Sequence, residues 1–263
     1  MSERREEGLN ALYARLSDLC GRAERGEMAV SAFLSPAELH FAENYLKTCG
    51  ARFGSYGGYA DAERKRVLVL PDYMEDARIP EDLETYGESP RISALQITGS
   101  GYVTLSHRDF LGALLGLGLE RSVVGDIHLT DGAQGAYVWV EESIAPFVCS
   151  ELRSVGRDTV KVKEVTLPDG FSPVRKTIPI RDTVASPRLD AVVASLCSLS
   201  REQARETVER GLVELNYESE ERGDRTVTAP AVISVRGHGK FRVTSLSELT
   251  KKGRLRLVAE KYV

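Results

Sequence analysis

The chain has 263 residues, 42% hydrophobic and 28% charged, with a net charge of −4. That length holds two or three cored domains of ordinary globular composition. No run approaches the ~20 apolar residues of a membrane span, and the charged start MSERREEGLN leads into no secretory core, so a cytoplasmic protein is expected.

Leu9, Leu12, Leu16 and Leu19 recur at spacings of three and four and predict a helix ended by Cys20-Gly21. Ser35-Pro36-Ala37-Glu38 is a helix start, with Ser35 as cap and Glu38 at the capping-box position. Leu39, Ala42 and Leu46 carry that helix to Gly50, and the apolar stretch Met28–Phe33 packs in the same core. Gly57-Gly58 marks a sharp bend before Arg64-Lys65-Arg66 and a buried strand, Val67–Leu70. Glycines against a basic cluster are one way to cradle phosphate. The spacing is neither a Walker loop nor G-x-G-x-x-G, so a structural turn followed by a solvated basic edge is expected. Asp72–Pro90 is acidic and reads as a connecting segment.

From Arg91 the predicted order is β-α-β-β-α-β: Ala94–Thr98, Arg108–Leu117, Val124–Leu129, Ala136–Val140, Ser143–Leu152 and Thr159–Val165. This is the split-βαβ arrangement of ferredoxin-like and RRM domains. Alternation points Leu95, Ile97, Ile127, Leu129, Val138, Val140, Val160 and Val162 at the helices. Gln96, His128, Tyr137, Trp139, Lys161 and Lys163 take the other face. An aromatic pair with lysines there is how RRM domains stack bases. The RRM signature is missing, however, which favours burial of Tyr137 and Trp139 under the N-terminal helical region. His107 and Asp109, considered with Asp126 and His128 for acid–base or metal chemistry, read better as helix-start residues. The cysteines Cys20, Cys49, Cys149 and Cys197 are far apart, with no C-x-x-C pair. No metal, disulfide or cofactor is expected.

Residues 167–182 are rich in proline and read as a linker with a short extended piece at Lys176–Ile180. Beyond it, Ser186 and Pro187 predict a helix start, with Leu189, Val192, Val193 and Leu196 on its apolar face. Ser200 and Gln203 form a capping box for a second helix from Arg201, closed by Gly211. A short strand then ends at Asn216. Ala231–Val235 and Lys240–Val243 form a hairpin, Lys251-Lys252-Gly253-Arg254 a basic turn, and Leu255–Tyr262 a last strand. Residues 183–263 carry 14 Lys and Arg against 11 Asp and Glu, so positive charge gathers in this part of an acidic chain. Arg201 and Arg205 share one side of the second helix. If Arg188 converges with them, the three guanidiniums make a multi-donor surface for phosphate, with Asp190 holding one of them in place. The default alternative is a solvated hairpin in which Arg201 and Arg205 balance Glu202, Glu206 and Glu209.

The run Arg188-Leu189-Asp190, then Ser200, Arg201 and Ala204, then Gly211, Val213 and Asn216, resembles the S4 RNA-binding domain. Nearly the whole chain resembles the bacterial YlmH family of S4-domain proteins. The carrying stretches are Phe33–Pro36, Gly57-Gly58-Tyr59 with Ala62–Lys65, Leu105–Asp109 with Leu111–Leu114, Gly125-Asp126-Ile127, and Ser234–Gly237 with Gly239-Lys240-Phe241. One departure is that Tyr217-Glu218 and an acidic loop follow Asn216, where many S4 domains are basic. The reading is therefore an α+β chain. It comprises a helical region with one strand (1–90), an RRM-like, ferredoxin-like domain (91–166), a linker (167–182) and an S4 domain (183–263). The resemblance implies a non-enzymatic protein. Its partners would be ribosomal RNA or tRNA on the large ribosomal subunit during quality control or translation rescue, with no DNA. RNA contacts are expected from Arg188, Leu189, Asp190, Ser200, Arg201, Gln203, Ala204, Arg205 and Asn216. Lys240 and Arg242 would extend the same surface. A division-linked protein adaptor and an accessory to RNA modification are the alternatives.

Overall fold

The structure is a computed structural model that describes residues 3–74, 76–168, 171, 173, 177–249 and 253–262. It mixes helices and sheets and divides into two compact units, Met1–Pro173 and Val174–Val263.

The first unit opens with α1 (Glu3–Glu24) and α2 (Pro36–Thr48). The apolar stripe of α1 runs past the expected stop at Gly21, because Ala23 continues the buried face and one glycine inside a helix is tolerated. Ser35 and Glu38 cap α2 reciprocally, the Ser35 N–H donating to Glu38 Oε2 at 2.8 Å. Both helices pack Leu12, Leu16, Ala42 and Leu46 on a three-stranded sheet. Its strands are β1 (Ala29–Val30), β2 (Phe53–Tyr56) and β3 (Arg66–Val69), with buried β3 in the middle.

The same unit continues with β4 (Ile92–Thr98), α3 (His107–Gly116), β5 (Val124–Leu129), β6 (Gly135–Glu141) and α4 (Ala145–Glu151). A small hairpin of β7 (Ser154–Val155) and β8 (Asp158–Thr159) leads to β9 (Lys161–Glu164). The sheet order is β5-β6-β4-β9, with every neighbouring pair antiparallel. Leu95, Ile97, Ile127, Val138 and Val140 meet Phe110, Leu114 and Val148 of the helices in one core. Leu129 departs from the expected inward face: it ends β5 and is 41% exposed. The opposite face is covered at one end. Trp139 is fully buried against Phe33, Tyr59 and Ala62, so residues 1–90 and 91–166 share a core rather than standing as separate bodies. Gly58 makes that closure possible. Its φ is +99°, and a Cβ there would lie 2.0 Å from Trp139 Cδ1.

The second unit holds β10 (Thr177–Val184), α5 (Leu189–Cys197), α6 (Arg201–Glu209), β11 (Val213–Leu215) and β12 (Glu218–Ser219). Then come β13 (Ala231–Val235), β14 (Gly239–Leu249) and β15 (Leu255–Tyr262). They form one sheet ordered β10-β15-β14-β13-β11-β12. Two expectations are corrected. The linker over 167–182 is shorter, because the extended piece expected at Lys176–Ile180 is an eight-residue strand, Thr177–Val184, that pairs with all of β15. The last hairpin is longer, because bulges near Thr244 and Glu248 let β14 follow β15 well past Val243. Lys251 and Lys252 of the expected basic turn lie outside the described residues. One core joins Leu189, Val192, Ala204 and Val208 of the helices to Ile233, Phe241, Val243 and Leu257 of the sheet.

Candidate nucleic-acid interface

The second unit brings two of the three expected arginines together. The helix α5 starts two residues later than Ser186-Pro187 predicts. Arg188 is its cap position and makes no side-chain cap. The loop after β12 does that work. Leu189 N–H donates to the Arg225 carbonyl at 2.8 Å and Asp190 N–H to that of Gly223 at 3.0 Å, so no serine cap is needed. Asp190, 3% exposed, then faces both helix starts. Arg188 donates from Nη2 to its Oδ2 at 2.9 Å and from Nε to Oδ1 at 3.3 Å. Arg201, the first residue of α6, donates to Oδ1 at 2.9 Å. Burial alone raises the Asp190 carboxyl. The hydrogen bonds and charges of Arg188 and Arg201 outweigh it and hold the carboxyl below the ordinary range. The two arginine side chains stay 44% and 50% exposed. A single buried carboxylate thus aims two partly solvated guanidiniums outward and leaves one net positive charge with open N–H donors.

The other expected contacts separate. Arg205 pairs with Glu209 at 3.1 Å on an exposed flank, the solvated arrangement that charge balance predicts. Leu189 and Ala204 are fully buried and pack the core, so they touch no ligand. Ser200 and Gln203 cap α6 reciprocally, at 3.2 and 3.0 Å. Asn216 sits at φ +49° in the turn between β11 and β12, its Oδ1 accepting from Val232 N–H at 2.9 Å. Lys240 and Arg242 alternate with Phe241 and Val243, which face the helices. They therefore project from the opposite face of the sheet and do not extend the arginine surface. The Lys240 ammonium lies 5.1 Å from the ring centre of Tyr217 and 5.3 Å from that of Tyr262.

In the first unit, Asp126 and His128 are held by the N-terminal region. The Tyr59 hydroxyl lies 2.6 Å from both Asp126 Oδ2 and His128 Nε2, and the backbone N–H groups of Glu63 and Arg64 donate to the same carboxylate. The arrangement is a buried clasp around Trp139. Ser106 and Asp109 cap α3 reciprocally, as helix-start residues. No group of three or more His, Cys, Asp or Glu able to hold a metal occurs among the described residues.

The basic run before β3 is not the solvated edge expected. Arg66 is 4% exposed and donates at 2.6 Å to the carbonyls of Ser31 and Arg91. Arg64 donates to those of Val124, Phe33 and Arg121. Burial first, and the charge of Arg64 second, lower the Arg121 pKa to about 10. These guanidiniums satisfy loop carbonyls inside the unit, a role that residue type alone does not reveal.

Residues 91–169 match a family model described as "Putative RNA-binding domain in YlmH". Among curated proteins, the chain is 30% identical over 238 residues to the Ribosome-associated protein quality control protein P2 of Bacillus subtilis (strain 168). That match covers 90% of this chain and 89% of the relative. Among solved structures, the Cell division protein ylmH from Streptococcus pneumoniae matches with a TM-score of 0.50 at 22% identity. It covers 63% of this chain and 94% of that one, a likeness of fold. No described helix is long and apolar enough to cross a membrane.

Proposed function

Because the chain belongs to the YlmH family, we propose that it is a non-catalytic, cytoplasmic RNA-binding protein acting on the ribosome in quality control or translation rescue. In this reading its RNA is structured RNA of the large subunit or tRNA. The second unit is an S4 domain and the sheet of β4, β5, β6 and β9 an RRM-like one. The observation that carries it is the Asp190 clamp. A buried carboxylate holding two half-exposed guanidiniums at adjoining helix starts adds only modest stability, because the desolvation of Asp190 offsets much of what the pairs return. It has clear value as a fixed double fork for phosphate oxygens, beside the first-turn N–H groups of α6.

The test is binding of a labelled ribosomal RNA hairpin across a salt series. The double variant Arg188→Ala/Arg201→Ala is expected to weaken binding and reduce the slope of log affinity against log salt by about 1–2. Unchanged affinity and slope would overturn the assignment. The likeness to a pneumococcal protein named for cell division supports one other reading, a division-linked protein adaptor. Co-sedimentation with ribosomal subunits at moderate salt separates the two, since an adaptor does not travel with the subunits.

A further inference from the structure

The central sheet has the parity of a base-stacking platform, yet its aromatic end is closed. Trp139 is covered by Tyr59 and Gly58, and the half-buried Tyr137 ring lies 5.3 Å from that of Phe171. The opposite end of the same face is open. There Thr98 pairs with Lys161, one row beyond the pair of Gln96 and Lys163, and Thr98, Lys161 and Lys163 are exposed. Both outward residues of edge strand β9 are lysines, and both are exposed. They stand about 7 Å apart along the strand, of the order of the step between neighbouring phosphates in an extended polynucleotide.

Tyr102 is presented at this end. It follows the turn Gly99-Ser100-Gly101 directly after β4, and it is 94% exposed, the most exposed of the large hydrophobic side chains among the described residues. The loop that carries it is pinned. Gly99 N–H donates to the Gln134 carbonyl at 2.9 Å, Ser100 N–H to Asp158 Oδ2 at 2.9 Å, and Gln134 Nε2 to the Gly101 carbonyl at 2.8 Å. A Cβ on Gly99 would lie 2.4 Å from Asp158 Oδ2, so the chain is drawn tight against its anchor. Asp158 itself is 4% exposed. Its burial serves to hold the turn from which Tyr102 leaves the protein. An aromatic ring held in water on a fixed stem costs hydrophobic free energy that a stacking partner returns.

We infer that Tyr102, Lys161 and Lys163 form a binding site for single-stranded RNA, the tyrosine stacking on a base and the lysines meeting flanking phosphates. The site rests on the RNA-binding reading above, but it is separate from the arginine clamp. Charge decides between a polynucleotide and a protein partner. The outward positions of β9 are uniformly basic, and a stacked ring flanked by cations is the general arrangement for single strands.

The experiment measures anisotropy of a short, unstructured labelled RNA and of a hairpin RNA with the full chain. The variants are Tyr102→Ala, Tyr102→Trp and Lys161→Ala/Lys163→Ala, with Arg188→Ala/Arg201→Ala alongside. All alter exposed side chains, and thermal melting followed by far-UV circular dichroism reports that both units of each variant are folded. Tyr102→Ala is expected to weaken single-strand binding about fivefold or more, with Tyr102→Trp retaining it. The lysine pair is expected to lower the salt slope by about 1.4. If these variants bind the single strand as the parent does while the arginine variant loses the hairpin, the inference fails and the clamp reading stands. If the unaltered chain binds neither RNA, both fail.

Discussion

Asp190→Asn separates preorganisation from simple charge. Asparagine has nearly the same shape but cannot accept three N–H···O bonds from two guanidiniums at 2.9, 2.9 and 3.3 Å. Hydrogen bonds to charged groups contribute about 1.5–3 kcal/mol, but both arginines are half exposed and rehydrate when released. The net loss of stability is therefore about 1–2 kcal/mol, on the order of 5–10 °C in the melting of a unit this size. The effect on RNA binding has two opposed parts. Removing a negative charge set behind the guanidiniums gains less than about 1 kcal/mol after screening. Freeing two long side chains that must then be ordered on binding costs about 0.5–1.5 kcal/mol each. The difference favours weaker binding, by about threefold to tenfold. Thermal melting followed by far-UV circular dichroism and anisotropy with a hairpin RNA measure the two quantities. Equal or tighter RNA binding by Asp190→Asn, with stability unchanged, would refute the argument that the carboxylate is there to aim its arginines.

Gly58→Ala should destabilise the first unit by about 3 kcal/mol, since its Cβ would enter the Trp139 ring and its φ is +99°; denaturant titration of Trp139 emission reads this out. Arg205→Ala should leave hairpin RNA affinity within about twofold of the parent, because its guanidinium is occupied by Glu209 on an exposed flank; a loss like that of Arg201→Ala in the same assay would contradict the separation described. The Asp190 carboxyl is lowered in the folded state, so its contribution is fully present above its unfolded pKa of about 3.9 and is lost as pH falls through the lower folded value. Acid titration should therefore destabilise the second unit of the parent below about pH 4, and less so that of Asp190→Asn.

Local chemistry made most elements legible. Ser35 with Glu38 and Ser200 with Gln203 fixed helix starts to the residue, because a capping box is a short-range hydrogen-bond pattern. Strand parity in the central sheet was readable except for Leu129 at the end of β5, since alternation needs no tertiary information. What failed depended on partners distant in sequence. Thr177–Val184 reads as no more than a short extended piece within a linker until β15 arrives beside it. The true start of α5 is set by the carbonyls of Gly223 and Arg225. Arg64 and Arg66 look solvated until the carbonyls of Ser31 and Phe33, and those of Arg91, Arg121 and Val124 around the central sheet, reach them. At the candidate site, the meeting of Arg188 and Arg201 on Asp190 was available only as a possibility, because the crossing of α5 and α6 decides it. The assignment of Lys240 and Arg242 to the same surface ignored the alternation that places them behind it.

The pairing of β10 with β15 has a consequence for synthesis. The strand that opens the second unit finds its partner only in the stretch Leu255–Tyr262, with Thr177 opposite Tyr262 and Val184 opposite Leu255. Contacts that span nearly a whole unit form late and slowly. While a nascent chain is still threaded through the exit channel, the helix pair has its local contacts but β10 remains an unzipped edge, open to wrong pairings. Emergence of Leu255–Tyr262 is thus the event that closes the edge of β10 and locks this half of the molecule.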